Sequence, residues 1–148
     1  MKNINGYIWT LIVALLVSCT ESVKNAEKVE RLPDIYPDYI GVTIPAGIAP
    51  MDFNVEENDC VKVDVIAKGS KQGEIHIQGE WAEWDVDEWH ELTRQNIGGS
   101  IDITVRVKTE DGQWKEYRTF KMYVSQYPLD DFGITYRRIQ RGNEVAGN

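Results

Sequence analysis

The chain has 148 residues, with 16 basic and 24 acidic side chains and a formal net charge of −8. This acidity argues against binding to nucleic acid, because phosphates are contacted by clustered Lys and Arg side chains. The length suits one domain large enough to bury a real core, once the N-terminal segment is set aside.

The first 18 residues have the features of a secretory signal peptide. Lys2 provides the basic start, an apolar run extends from Tyr7 to Val17 with only Thr10 as a polar interruption, and Ser18 is small. The run is shorter than the roughly 20 apolar residues of a membrane-spanning helix. Residues 1–18 are therefore predicted to be removed on export.

The end of this run, Leu16-Val17-Ser18-Cys19, resembles the lipobox of bacterial lipoproteins. The resemblance implies that Cys19 is the first mature residue and carries the lipid anchor to the membrane. Cleavage there leaves 15 basic and 24 acidic side chains, a net charge of −9. Thr20, in the position where an aspartate would retain the protein at the inner membrane, favours the outer membrane. Whether the domain faces the periplasm or the cell surface stays open.

The mature chain is expected to begin with a tether. Residues 19–32 are rich in Glu, Lys, Asn and Ser and show no apolar period, which is typical of a solvated linker. The fold should start at Pro33, in an extended stretch punctuated by prolines, and should continue to residue 139. Residues 140–148 are expected to be a C-terminal tail or a linker to a missing domain.

Alternating apolar and polar residues predict short strands in this domain. The clearest is 101–108, in which Ile101, Ile103, Val105 and Val107 share one face. We expect a loop at Asp111-Gly112 to connect it to the run at 120–124 as a hairpin. Further strands are predicted at 40–44, 51–55, 61–68, 74–78 and 134–139.

One segment has helical spacing instead. Asp85 is a suitable N-cap, Val86, Trp89 and either Leu92 or Thr93 share a face, and Asn96 with the following glycines supplies the stop. Six to seven short strands with one short crossover helix predict a mostly β fold, namely an antiparallel immunoglobulin-like β-sandwich.

Motifs for catalysis are missing from the sequence. There is no phosphate-binding loop, nucleophile elbow or haem attachment motif. His76 and His90 are the only histidines, and no spacing of His or Cys provides a metal site. Cys60 has no cysteine partner once Cys19 is lipidated, and we interpret it as a packing residue. We therefore predict no catalytic residue, metal or cofactor, and a protein that is not an enzyme.

Tryptophan supplies the best functional hint. Trp89 belongs to the inward face of the helix, and Trp114 begins a strand where core packing is expected. Trp81 and Trp84 remain as candidates for stacking on the pyranose rings of a polysaccharide, although core or interface packing is the commoner role of tryptophan.

From Pro33 to Ile139 the chain resembles the N-terminal domain of a family of Gram-negative lipoproteins in which a TolB-like β-propeller usually follows. The matching motifs are Pro33-Asp34-Ile35-Tyr36-Pro37-Asp38, Ile48-Ala49-Pro50-Met51-Asp52-Phe53, Asp111-Gly112-x-Trp114 and Tyr136-Arg137-x-Ile139. These motifs bear on the fold and carry over no catalytic residues. The segment that leads into the first propeller blade in that family has a different sequence here, so the propeller is absent or the chain is truncated.

Three functions are compatible with these patterns. The preferred hypothesis is a non-enzymatic cell-envelope lipoprotein module that docks on a propeller or another envelope protein. The second is a glycan-binding accessory protein that uses Trp81 and Trp84. The third is an N-terminal fragment of a propeller or redox protein whose active parts lie beyond Asn148.

Overall fold

The computed structural model describes Val23 and residues 25–127. The predictions for the signal peptide, Cys19, the strand at 134–139 and the tail concern residues outside this range. The described part is mostly β, with one short helix, α1 (Val86–Gln95). Its strands are β1 (Ala26–Val29), β2 (Ile35–Tyr36), β3 (Thr43–Ile44), β4 (Asn54–Val55), β5 (Cys60–Gly69), β6 (Glu74–Gly79), β7 (Ser100–Thr109), β8 (Trp114–Tyr117) and β9 (Phe120–Val124).

β7 organises the main sheet because it pairs along both of its edges. As predicted, its side chains alternate, and the four at Ile101, Ile103, Val105 and Val107 are fully buried. β5 pairs with one edge over nearly the whole strand, and β6 pairs with the far side of β5. β8 and β9 share the other edge of β7, both antiparallel to it. The predicted pairing of 101–108 with 120–124 is therefore confirmed, but the predicted hairpin is not, because the Asp111-Gly112 turn leads into β8 before the chain reaches β9.

Two short strands make the sheet mixed instead of antiparallel. β1 pairs in parallel with β8, and β3 pairs in parallel with β9. The prediction of an antiparallel sheet is wrong for these pairs. Alternation shows that a segment is a strand, but it does not reveal which neighbour the strand has or in which direction that neighbour runs.

β1 lies inside the segment 19–32, so the predicted tether is wrong from Ala26 onward. The guanidinium of Arg31 donates to Glu57 at 2.6 Å and lies 4.9 Å from the centre of the Tyr117 ring. Burial, with the charge of Glu57 beside it, raises the pKa of Tyr117 to about 12. The strand could not be recognised from the polar composition of this segment, because only a few of its side chains are shielded from solvent by the rest of the domain.

One face of the main sheet carries the core, and a second layer covers it. This layer consists of the β2–β4 ladder, the segment 81–84 and α1. Phe53 reaches across to the sheet, where its ring meets Phe120 edge-on at 6.3 Å between centroids. Two layers around one apolar core are consistent with the predicted β-sandwich. The immunoglobulin-like arrangement of the strands stays a prediction.

The helix begins and ends where the sequence predicts. The Asp85 carboxylate accepts the backbone N–H groups of the second and third helical residues at 2.9 and 3.0 Å, and Asn96 is the C-cap. Trp89, Leu92 and Thr93 are buried. Val86, which the sequence predicts on the same face, is exposed, because α1 meets the β5–β6 turn through its second half.

Candidate ligand-binding cleft

The two candidate tryptophans have opposite positions. Trp84 is only 3% exposed, its indole N–H donates to the Met51 carbonyl at 3.0 Å, and its ring stacks on Trp89 with 5.4 Å between centroids. The prediction that Trp84 belongs to a sugar-binding platform is therefore wrong. Trp84 is a core residue, and stacking on a ligand would require it to leave the core.

Trp81 is the candidate that lies at the surface. Its side chain is 51% exposed, and its indole N–H donates to the carboxylate of Glu83 at 3.1 Å. This hydrogen bond restrains the ring, while about half of the residue stays exposed to solvent. A ring held in one orientation loses little conformational entropy when a ligand stacks on it.

Strand pairing aligns Trp81 with two other exposed side chains. Phe53 and Ala82 exchange backbone hydrogen bonds of 3.1 and 3.0 Å in an antiparallel bridge, which places Asn54 beside Trp81. On its other side Asn54 pairs with Tyr36. Tyr36, Asn54 and Trp81 therefore form an outward-facing line across three neighbouring segments, which we call the aromatic row. Tyr36 is 63% exposed.

The aromatic row lines a cleft of about 260 Å³, which we call the row cleft. Its walls also include Pro37, Asp52 and Glu83. A second cleft of about 500 Å³, the edge cleft, lies along β6 and is lined by Ile77, Gln78, Gly79, Glu80, Trp81 and Glu83. Trp81 and Glu83 border both clefts, so an extended ligand could pass from one to the other over the Trp81 ring.

Both clefts are acidic. Asp52 and Glu83 line the row cleft, and Glu80 and Glu83 line the edge cleft. Among the described residues, no Lys or Arg lines either cleft. One oxygen of Asp52 accepts the backbone N–H of Trp84 at 2.9 Å, a bond that helps to turn Trp84 inward. Together the two clefts therefore combine exposed aromatic rings, the amides of Asn54 and Gln78, and three carboxylates.

Sequence reasoning found Trp81 but missed its neighbours. Tyr36 and Asn54 each follow a buried apolar residue in an extended segment, so alternation alone could have placed them outward. Their position next to Trp81 depends on pairing between segments far apart in the chain. No local pattern reveals such pairing.

A second polar cluster lies on the open face of the main sheet, around Asp64. The Asp64 carboxylate is fully buried and accepts hydrogen bonds from His76 Nε2 at 2.5 Å, Gln78 Nε2 at 2.7 Å and Arg106 Nη1 at 3.0 Å. Burial alone would raise the pKa of Asp64, but these donors outweigh burial and hold it below its ordinary value. The Arg106 Nε donates to Glu116 at 2.7 Å. The cluster is saturated by the protein's own groups, which indicates a structural role.

The remaining candidate residues carry no visible chemistry. His76 lies on the open face of the main sheet, where its Nε2 is hydrogen-bonded to Asp64. Burial raises the pKa of the Cys60 thiol, which disfavours a reactive thiolate. Trp114 begins β8 as predicted but is half-buried, with Lys108 Nζ 5.8 Å from its ring centre.

The described part of the chain contains neither a membrane-spanning helix nor a metal-binding cluster. No helix among the described residues is long and apolar enough to cross a membrane. Within the same part of the chain, no group of three or more His, Cys, Asp or Glu side chains is arranged to hold a metal ion. Neither finding identifies a ligand for the two clefts.

Comparison with known proteins identifies no relative of this chain. No family model, curated protein or solved structure matches this chain. The resemblance to lipoproteins with a TolB-like propeller therefore stays a prediction.

Proposed function

We propose that this chain is a non-enzymatic lipoprotein of the cell envelope whose β domain binds a glycan on the aromatic row. The observation that carries the proposal is the alignment of two exposed rings, Tyr36 and Trp81, on either side of Asn54. The lipobox at Cys19 supports attachment to the membrane, and Thr20 supports the outer membrane as the location.

The chemistry of the row suits a sugar ring. A pyranose presents apolar C–H groups on its faces, which pack on flat aromatic rings, and hydroxyl groups around its edge. The Asn54 amide offers both a donor and an acceptor for such hydroxyls. Two strand spacings, roughly 9.5 Å, separate the segments of Tyr36 and Trp81, a span that suits an extended oligosaccharide better than a single sugar.

A binding role is favoured over hydrolysis by the composition of the cleft. Among the described residues, neither histidine lines the row cleft or the edge cleft, and the Glu83 carboxylate already accepts the Trp81 indole N–H. A glycosidase would need one carboxylic acid with a raised pKa opposite a second carboxylate. The aromatic row supplies contact area instead.

The proposal is tested by binding of the full-length protein, extracted in detergent, to insoluble polysaccharides and soluble oligosaccharides. We expect Trp81→Ala and Tyr36→Ala each to weaken binding at least tenfold, because each removes one stacking surface. Tyr127→Ala is the matched control, since Tyr127 is 73% exposed and lines neither cleft. Binding that is unchanged in Trp81→Ala, or absent for every glycan, would contradict the proposal.

The membrane anchor is tested separately. Cys19→Ser should abolish labelling of the protein with radioactive palmitate and should release it from the membrane fraction without detergent. Labelling that persists in this variant would exclude Cys19 as the lipidated residue. This experiment does not depend on whether the aromatic row binds a glycan.

Docking on a propeller or another envelope protein is the second candidate function. It is supported by the resemblance noted above and by the position of β6 at the edge of the described sheet, where an edge strand can accept a further strand. Co-purification of an envelope protein that is lost on replacing Ile77 at this edge, but kept in Trp81→Ala, would favour docking over glycan binding.

A further inference from the structure

The charge of the two clefts restricts the glycan that they can accept. Three exposed carboxylates, on Asp52, Glu80 and Glu83, line the clefts without a lining Lys or Arg among the described residues. Lys62 lines neither cleft, but its Nζ donates at 3.1 Å to the side-chain oxygen of Gln78, a residue of the edge cleft. An anionic polysaccharide would place its charges against these carboxylates, and like charges repel.

We propose, on the basis of the glycan-binding function above, that the ligand is a cationic amino-sugar oligomer. In this arrangement one sugar ring stacks on Trp81 and places its free ammonium group at Glu83. The other units extend along the row cleft toward Tyr36 and along the edge cleft toward Glu80. The ligand class is thus a glycan with unacetylated amino groups.

The contact between Trp81 and Glu83 carries this inference. Glu83 Oε2 accepts the Trp81 indole N–H, and no other donor among the described residues contacts this carboxylate, so its Oε1 is available to a ligand. An ammonium group beside the ring is attracted both by the π face and by the carboxylate. The same hydrogen bond fixes the distance between the stacking surface and the charge.

The two clefts adjoin at Trp81 and Glu83, so a ligand that fills both must be longer than one sugar unit. Trp81 and Glu83 line both clefts, which have volumes of about 260 and 500 Å³. A monosaccharide could occupy only the surface of Trp81, whereas an oligomer could contact Tyr36 and Glu80 as well. Affinity should therefore rise with chain length until both clefts are filled.

The test compares oligomers of one length and different charge against the full-length protein in detergent. Glucosamine hexamers with free amines should bind at least tenfold more tightly than N-acetylglucosamine or glucose hexamers, and uronic acid oligomers should bind least. The advantage of the free amines should shrink as sodium chloride is raised, because the carboxylates are exposed and are screened by salt. Titration followed by tryptophan fluorescence measures all four ligands.

Glu83→Gln is the decisive variant, because glutamine keeps an oxygen that can accept the Trp81 N–H while it removes the charge. We expect it to lower the preference for free amines at least fivefold, because the ammonium group loses its carboxylate partner, and to weaken binding of the glucosamine hexamer more than binding of the glucose hexamer. Glu110→Gln is the matched control, since Glu110 is exposed and lines neither cleft.

The outcomes separate this inference from the proposed function. Equal binding of free and acetylated hexamers, lost in Trp81→Ala, would overturn the charge preference and leave glycan binding intact. Absence of binding to every oligomer would overturn both. Binding of polylysine as tightly as the glucosamine hexamer, unaffected by Trp81→Ala, would show nonspecific attraction of cations and would also overturn the inference.

Discussion

Trp81 and Trp84 lie three residues apart in one extended segment, yet one belongs to a cleft and the other to the core. Trp81 is 51% exposed, whereas Trp84 is 3% exposed and stacks on Trp89. The bridge between Phe53 and Ala82 fixes which side of the segment faces the sheet. The difference shows that strand pairing, and not residue type, decides whether an aromatic ring is available to a ligand.

Two carboxylates, those of Asp64 and Glu83, differ in the same way, one being buried and the other exposed. Asp64 is fully buried, and the donors of His76, Gln78 and Arg106 occupy it. Glu83 is exposed and accepts one hydrogen bond from Trp81. A saturated carboxylate stabilises the fold, whereas one with a vacant oxygen beside an open ring can contact a ligand. Variants at Trp84, Asp64 and Asp85 test this division between stability and binding.

The largest effect is expected for Trp84→Ala. Removal of a buried Trp side chain leaves a cavity beneath the row cleft, so the free energy of unfolding should fall by about 3–5 kcal/mol. Trp81→Ala should cost less than about 0.5 kcal/mol, because that side chain is half exposed and away from the core. Urea denaturation followed by circular dichroism measures both variants.

The two variants test whether the row cleft is a surface separate from the core. If Trp81→Ala destabilised the protein as much as Trp84→Ala, the row cleft would be part of the core and not a separate surface. Trp84→Phe is a milder control, and it should retain glycan binding because the aromatic row stays intact. A loss of binding in folded Trp84→Phe equal to that of Trp81→Ala would place Trp84 in the site.

Asp64→Asn should lower the free energy of unfolding by about 2 kcal/mol at neutral pH, because it removes charge-assisted hydrogen bonds from a buried group. The pKa of Asp64 is lower in the folded protein than in the unfolded chain. Its contribution is therefore present above the unfolded pKa of about 3.9 and is lost as the pH falls through the lower folded pKa. Urea denaturation between pH 7 and pH 3 measures this dependence.

The control for this variant is binding of a short glycan to the aromatic row, which should not change because neither Asp64 nor its partner Gln78 lines the row cleft, although Gln78 does line the edge cleft. Two results would argue against the structural role of the cluster. One is a destabilisation that stays constant at acid pH, and the other is a loss of binding in folded Asp64→Asn. Glu83→Gln should show the reverse pattern, with altered binding and nearly unchanged stability.

Local patterns predicted much of the fold. Alternation located β5, β6 and β7, and the cap at Asp85 located α1, because in these elements one face is buried and the other is not. β1 escaped prediction because an edge strand with few covered side chains has no apolar period. The parallel pairing of β1 with β8 could not be predicted, since direction depends on the chain path and not on composition.

The candidate site was predicted only in part, for a related reason. Residues three apart in an extended segment point to opposite faces, so Trp81 and Trp84 could not both have lined one binding surface. The sequence contained that constraint, but the segment lies next to a helix and its extended conformation has no clear pattern. Tyr36 and Asn54 lie next to Trp81 only because segments far apart in the sequence pair with one another.

The smallest effect is expected at the helix cap. Asp85→Ala removes the acceptor for two N–H groups of α1 and should lower the free energy of unfolding by about 1 kcal/mol. α1 carries Trp89, on which Trp84 stacks, but it does not line the row cleft. Binding to the glycan should therefore be unchanged at temperatures where the variant is folded. A weakened affinity, measured by titration under those conditions, would mean that the helix side and the cleft side of the covering layer are coupled. Stability and binding could then not be assigned to separate sets of residues.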